Sequence, residues 1–565
     1  MRSTSVKRFS DVIRELREFS EKNLKIRAIR GLLLWLLLSL AFGLAYTQSH
    51  LYNDNQNTKF LHGLAAGGMG LLEEDWLANT ADPLPAFSLL VSFTYAYLAE
   101  RLFYVYFALL MGIYAYSLMG IASSLYGIKR SATKYLMVFV ALLLIHSIWG
   151  QILVRKALGF DPELLHFGVA GQYLLGLDFQ NSSFGVLLLL SMHAFLERKH
   201  VWAILWLALA CILHSAYLFS AALMTLAYLG SLLLENIQLG KSAAREITND
   251  GIAGFARYPI IRSVITSAKI PFLLGLLALV LVAPVALYNQ FVLTSTSPDL
   301  SAQSLDILVN QRIPHHALPR VWMDGGAYLQ IAIMLAGLVL VRKSRLFPVM
   351  LVLFLGGAAG TLVQVLTGSN SLALLAPWRV SVLLVPLSTC LLLAWLVAGL
   401  YDRFERHVDR IRAAVVVLCL AGIVFLAREG LTIQRGRFAR YERQDVHALM
   451  GYVKRNKNPG QVYLIPPRDN RFDEFRTYTG APAFINWKSH PYRDFEVMEW
   501  YQRNRLAKAF YDAQPAAACE VLDEITAEYE VTHVILDLEN DPPACDGMQE
   551  AYRDERYALY VLSGP

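Results

Sequence analysis

Apolar runs of bilayer length recur between Gly31 and Leu426, and no other feature constrains the chain as much. A run of about 18–20 apolar residues spans a hydrocarbon core as a helix. In lipid the backbone must satisfy its own hydrogen bonds, so such runs are read as helices. Composition agrees: the 565 residues are 55% hydrophobic and only 17% charged, against about 25% charged in ordinary soluble domains. The net charge of +6 is no signal for nucleic acid, because the basic residues fall in short loops between apolar runs, where they set orientation.

Placing Lys- and Arg-rich loops inside predicts about eleven transmembrane helices and a cytoplasmic N-terminus. The expected spans are Gly31–Ala45, Leu102–Ser123, Tyr135–Leu153, Ser183–Leu196, two within Val201–Glu235 turning near His214–Tyr217, Ile270–Leu287, Gly326–Val341, Phe347–Leu366, Val380–Leu400 and Ala413–Leu426. No small-residue cleavage site follows the first run, so it reads as an uncleaved anchor. Ahead of it, residues 1–30 form a basic segment in which Phe9, Ile13, Leu16 and Phe19 recur at helical spacing. That pattern fits a helix on the cytoplasmic membrane surface; a floppy basic tail fits equally. A crossing at Ala86–Leu98 would put the basic loop Lys129, Arg130 and Lys134 outside, so this stretch is placed at the outer interface, within a first external loop of residues 48–101; its length suits an interfacial or re-entrant segment. Residues 31–428 then make the transmembrane part and 429–565 an external domain. There, strand-like runs at Gln461–Ile465, Thr532–Leu538 and Tyr557–Leu562 flank helical patterns at Phe495–Tyr511 and Ala516–Tyr529, which predicts a small α/β fold. Cys519 and Cys545 lie in this domain, where an oxidising compartment permits a disulfide. Cys211, Cys390 and Cys419 sit inside spans and read as small apolar residues.

The sequence carries no P-loop, glycine-rich dinucleotide fingerprint or HExxH helix, so ATP-driven transport and zinc proteolysis lose their usual support. What remains is polar chemistry on one side of the membrane. Within the first loop, Gln48–Pro85 holds Asp54, Glu73, Glu74, Asp75 and Asp82 against a single Lys59. Asp54 follows the membrane exit closely and is a candidate general base. A second carboxylate, Glu74 or Asp75, could orient an acceptor or hold a divalent metal. A solvated acidic loop is the plainer reading. The basic set comprises Arg312, His315, His316 and Arg320 in one external loop, and Arg379 in Ala376-Pro377-Trp378-Arg379. Outward arginines oppose the positive-inside tendency; they suit an anionic lipid phosphate or snorkel to headgroups. His214 could line the same cavity, although a packing or capping role is the commoner one. The aromatic stretches Trp487–Tyr492 and Glu499–Arg503 suit carbohydrate stacking but read chiefly as the core of a small domain.

The layout of an inward N-terminal anchor, an acidic first external loop with an interfacial helix, many spans and an external C-terminal α/β domain resembles the GT-C glycosyltransferases. In those enzymes the essential acid lies in the first external loop and the donor is a polyprenyl-phosphate-linked sugar. The resemblance implies Asp54 as the early acid and Asp75 as a later one. The chain has no Asp-x-Asp pair, which leaves the choice between Asp54 and Asp75 open, and it has no Trp-Trp-Asp-x-Gly signature, so transfer of a whole glycan to asparagine is not implied. It implies an inverting transferase of the bacterial cytoplasmic membrane, with membrane lipid and a lipid-linked sugar donor as partners. Asp54 would deprotonate the acceptor, and Arg379 or Arg320 would hold the leaving phosphate. The alternatives are a flippase or transporter of a lipid-linked glycan, and a non-catalytic envelope protein. Transporters often show repeats and ionisable residues within spans, and both are scarce here.

Overall fold

The computed structural model describes residues 29–249, 257–540 and 543–563. The amphipathic pattern at Phe9–Phe19 lies outside them, as does part of the loop 236–269. The described chain is mainly helical. Among the described residues, seven helices are long and apolar enough to cross a membrane, and eight if one bent pair counts as a single span. Three shorter apolar helices, Asn181–Leu196, His200–Leu213 and Gly325–Val341, stand where further spans were expected.

The bent pair replaces the straight span expected at Tyr135–Leu153. Helices Ala132–His146 and Ile148–Ala157 meet at 72°. At the break Ser147 is extended, and its side chain accepts the Gly150 N–H, capping the second helix. A Cβ on Gly150 would lie 1.8 Å from the Leu144 carbonyl oxygen, so the bend needs glycine there. Helix Leu102–Tyr126 ends where Gly127 takes a left-handed conformation, the usual glycine terminus. Helix Pro85–Tyr97 is short, at 13 residues. The last apolar helix, Arg412–Tyr441, runs unbroken for 30 residues, past the expected membrane exit at Arg428.

The C-terminal part holds a four-stranded sheet in the order β1-β2-β4-β3: β1 (Tyr463–Leu464), β2 (His533–Asp537), β3 (Met548–Arg553) and β4 (Tyr557–Leu562). β1 and β2 are parallel, and the other pairs are antiparallel. β3 escapes sequence reading because its apolar residues Met548, Ala551 and Tyr552 are interrupted by Gln549 and Glu550 and form no run. Helices Asp494–Asp512 and Pro515–Glu528 cover the sheet through Val497, Trp500, Phe510, Leu522 and Ile525. Cys519 and Cys545 are joined in a disulfide.

This part is seated on the helical bundle by apolar and polar contacts together. Ile307 and Leu308, from the segment after helix Arg257–Val292, sit in its core. Gly70, at φ +58°, lies so close to Gly480 that a Cβ would meet the Gly480 oxygen at 2.4 Å. Next to it the Leu71 N–H donates to that same oxygen at 2.7 Å. Asp494 accepts the Thr296 N–H at 2.5 Å, and Glu496 accepts the Ala81 N–H at 3.0 Å.

A candidate anion-binding site around Asp54

Where the bundle meets the C-terminal part, a cavity of about 490 Å³ is lined by residues from eight separated stretches of chain. Asp54 stands at its edge. Three non-glycine residues before the first short helix of this loop have positive φ: Thr47 at 72°, Tyr52 at 65° and Asp54 at 45°. Such conformations cost free energy and persist only where the surroundings over-determine them. They are over-determined here. Gln56 accepts the Tyr52 N–H at 2.6 Å and donates to the Phe179 carbonyl at 2.7 Å. The Asn53 amide donates to both oxygens of Asp178, at 3.3 and 3.1 Å, and Asn55 donates to the Tyr173 hydroxyl at 3.0 Å. The loop thus fixes the direction of the Asp54 side chain, whose carboxylate is ion-paired with Lys488.

The remaining fixed charges lining the cavity are cations: Lys59, Arg312, Arg379 and Lys488. Arg312 ends a π-helical turn, Ile307–Arg312; such turns recur at functional sites. It donates to the Lys488 carbonyl at 2.5 Å, while its buried Nε has no hydrogen-bond partner. Arg379 follows Ala376, another left-handed residue at φ 48°, and lies 3.2 Å from His214 Nε2. A guanidinium only donates, so Nε2 accepts and the proton sits on Nδ1. Nδ1 is 2.7 Å from the Asn181 side-chain amide, which must then turn its oxygen toward it. Lys59 donates to the Tyr492 hydroxyl at 2.7 Å. Burial pushes that phenol's pKa up, but Lys59, Arg379 and Arg312 outweigh it and leave it below the usual tyrosine value.

The histidines add no standing charge. Burial, with Arg312 and Lys59 nearby, holds His490 down to about 3. Burial and its neighbour His315 hold His316 down to about 4, and His316 Nδ1 donates to the Ala170 carbonyl at 2.7 Å. His315 is lowered too, by burial and by Arg312. At neutral pH the cavity therefore presents four cations, neutral imidazoles and one carboxylate. Gln172, which also lines it, has neither amide atom hydrogen-bonded.

The other sequence candidates lie elsewhere. Asp75 is fully buried and away from the cavity. Its carboxylate accepts from Arg476 Nε at 2.6 Å and from the N–H groups of Ala483, Leu77 and Ala78. Those bonds occupy its lone pairs and hold the C-terminal part against the first loop. Glu74 accepts the Gly460 N–H at 2.8 Å in the same seam. Arg320 is exposed and does not line the cavity. Among the described residues no group of three or more His, Cys, Asp or Glu side chains is placed to share a metal ion.

Sequence reasoning did not single out Lys59 or Asp178, and read the stretch that holds Lys488, His490 and Tyr492 chiefly as core. That stretch is irregular and precedes helix Asp494–Asp512, with Trp487 packed on Trp500 at 4.8 Å and Ser489 bonded to Thr58. Its run of polar side chains among aromatics was the available signal. Asp178 is buried, and burial, reinforced by Asp54, raises its carboxyl to about 7 against the opposing pull of Asn53, Arg437 and Lys488. Its place in the loop before helix Val186–Leu196 was the clue to it.

A family model described as a domain of unknown function (DUF6798) matches residues 444–507, the stretch that supplies Lys488, His490 and Tyr492. No curated protein matches the chain. Among solved structures, the chain is similar to the oligosaccharyltransferase of Archaeoglobus fulgidus, crystallised in complex with zinc and sulfate. That likeness has 12% identity and a TM-score of 0.40, covering 89% of this chain and 68% of the other.

Proposed function

We propose that the protein is a membrane glycosyltransferase that moves a sugar from a polyprenyl-phosphate-linked donor to an acceptor at the external leaflet of a bacterial cytoplasmic membrane. One observation carries this reading: Asp54 is the one carboxylate lining a cavity whose other fixed charges are cations. Cations suit the donor phosphate, and the carboxylate suits the proton of an attacking hydroxyl. In the reaction Asp54 takes that proton, and the acceptor oxygen bonds to the anomeric carbon. The bond from that carbon to the phosphate oxygen breaks, and polyprenyl phosphate leaves with the electron pair. Arg379, Arg312 and Lys59 stabilise the charge that develops on it. Displacement from the opposite face inverts the anomeric configuration. Lys488 occupies Asp54 before donor binds; the incoming phosphate competes for that ammonium and frees the carboxylate to act as base.

The test is turnover of a panel of polyprenyl-phosphate sugars by the purified full chain, read as release of polyprenyl phosphate. Asp54→Asn keeps the shape and removes the base, so turnover falls by about 10²–10⁴-fold. Arg379→Ala weakens donor binding as well as turnover. Full turnover in Asp54→Asn, or no donor consumed by wild type, overturns the proposal.

A further inference from the structure

Two more cavities adjoin the cationic one. The first, about 270 Å³, shares Asp54 and Lys488 with it and is completed by Gln444, Asn470, Asp473 and Glu474, among others. The second, about 700 Å³, shares Gln444 and Asn470 with the first and adds Arg440, Arg443 and Arg471. Shared lining residues set the three side by side as one track of neighbouring cavities, with the Asp54–Lys488 pair between the first two.

The chemistry changes along this track. The middle cavity is rich in neutral amides and carboxyls, which suit the hydroxyls of a sugar. Burial raises Asp473 there to about 6, with Lys488 opposing and Asp54 adding to the rise. The far cavity is cationic. Arg471 is already bonded to Asp469 and Asp537, and Asp445 faces Arg556 at 3.5 Å. Arg440 and Arg443 are exposed, and among the described residues their side chains have no ion pair or hydrogen bond. They stand at the end of helix Arg412–Tyr441 and just beyond it. A helix C-terminus favours a cation, but that accounts neither for both arginines lining the far cavity nor for their having no ion pair among the described residues.

We infer that the acceptor is an extended anionic glycan, held with a carboxylate or phosphate on Arg440 and Arg443 while a hydroxyl of the same molecule lies at Asp54. This rests on the glycosyltransferase reading for the hydroxyl at Asp54, whereas the anion contact is open to a binding measurement that needs no turnover.

The experiment uses the full chain in detergent and measures fluorescence anisotropy of three labelled probes of equal length. These are an oligogalacturonate, a phosphorylated malto-oligosaccharide and an unmodified malto-oligosaccharide. At least one acidic probe should bind tenfold or more tightly than the neutral one, and the preference should shrink with added salt. The double variant Arg440→Ala/Arg443→Ala should lose that tenfold preference, and Arg440→Lys/Arg443→Lys should regain most of it. Both pairs of side chains are exposed, so the melting temperature should stay put. Equal binding of all three probes, or an unchanged preference in the alanine variant, overturns the inference. So does an alanine variant that loses only its binding to phosphatidylglycerol vesicles over phosphatidylcholine vesicles, because the arginines then serve the membrane. Tight acidic-probe binding with no donor ever consumed would instead sink the enzyme reading and leave a glycan-binding track.

Discussion

Lys488 and Asp54, 434 residues apart in sequence, meet in an ion pair that separates the cationic cavity from the one beside it. Asp75, in the same loop as Asp54, meets a different cation, Arg476, 401 residues away. Two acids with the same local chemistry therefore have different jobs. One faces a cavity, and the other is sealed in a seam.

That division predicts opposite signatures. Asp75 is fully buried and Arg476 is 3% exposed, so removing one partner strands a buried charge. Asp75→Ala should destabilise the folded chain by about 3–5 kcal/mol, seen as a large drop in melting temperature and in yield. Asp54→Asn should leave the melting temperature nearly unchanged, since Asp54 is partly exposed and solvent screens its pair. An Asp75→Ala protein that melts with wild type contradicts the anchoring role.

Asp178 should make stability depend on pH. Its carboxyl is raised from an ordinary 3.8 to about 7 in the folded state. Between about pH 4 and 7 the folded chain holds a proton that the unfolded chain has released, so stability falls as pH rises through that window. Asp473, raised to about 6, contributes with the same sign. Asp178→Asn is neutral throughout and removes only its own share. The variant should gain melting temperature relative to wild type at pH 8 and lose that advantage by pH 4. A difference that does not change with pH would show that Asp178 keeps its ordinary titration.

The disulfide between Cys519 and Cys545 closes a loop across a sequence separation of 26, which on the chain-entropy estimate is worth about 2–4 kcal/mol. Reduction should lower the melting temperature of the C-terminal part, and Cys519→Ser/Cys545→Ser should match reduced wild type. Denatured without reductant, the chain should react with a thiol reagent at Cys211, Cys390 and Cys419 only, the three free cysteines. Labelling of five cysteines refutes the bond.

Much of the helical layout was legible because the signal is local. Leu102–Tyr126 and Phe347–Thr367 are apolar along their whole length, and any such run must close its own hydrogen bonds in lipid. The bend at Ser147 was not legible, since the runs on both sides are mainly apolar and the break shows in the extended Ser147 backbone and in the Gly150 contact with the Leu144 carbonyl. In the C-terminal part, β2 and β4 were visible as apolar runs, and β3 was not, because polar residues interrupt its apolar ones. Arg379, His214, Arg312 and His316 were picked out one by one from their polarity near span ends, and the structure brings all four to one cavity.

By itself the sequence determined that this chain is built of apolar helices with a polar, sheet-containing C-terminal part, since hydropathy and residue alternation are properties of neighbours along the chain. Only the tertiary structure decided which acid meets the cavity, because the partners of Asp54 and Asp75 are not in their own stretch of sequence. Their environments come from Lys488 and Arg476, brought across more than 400 residues by the seating of the C-terminal part on the first loop. The same seating added Lys59, His490 and Tyr492 to the site: a side chain's partners follow from how separate elements pack, and no window of sequence contains both sides of that contact.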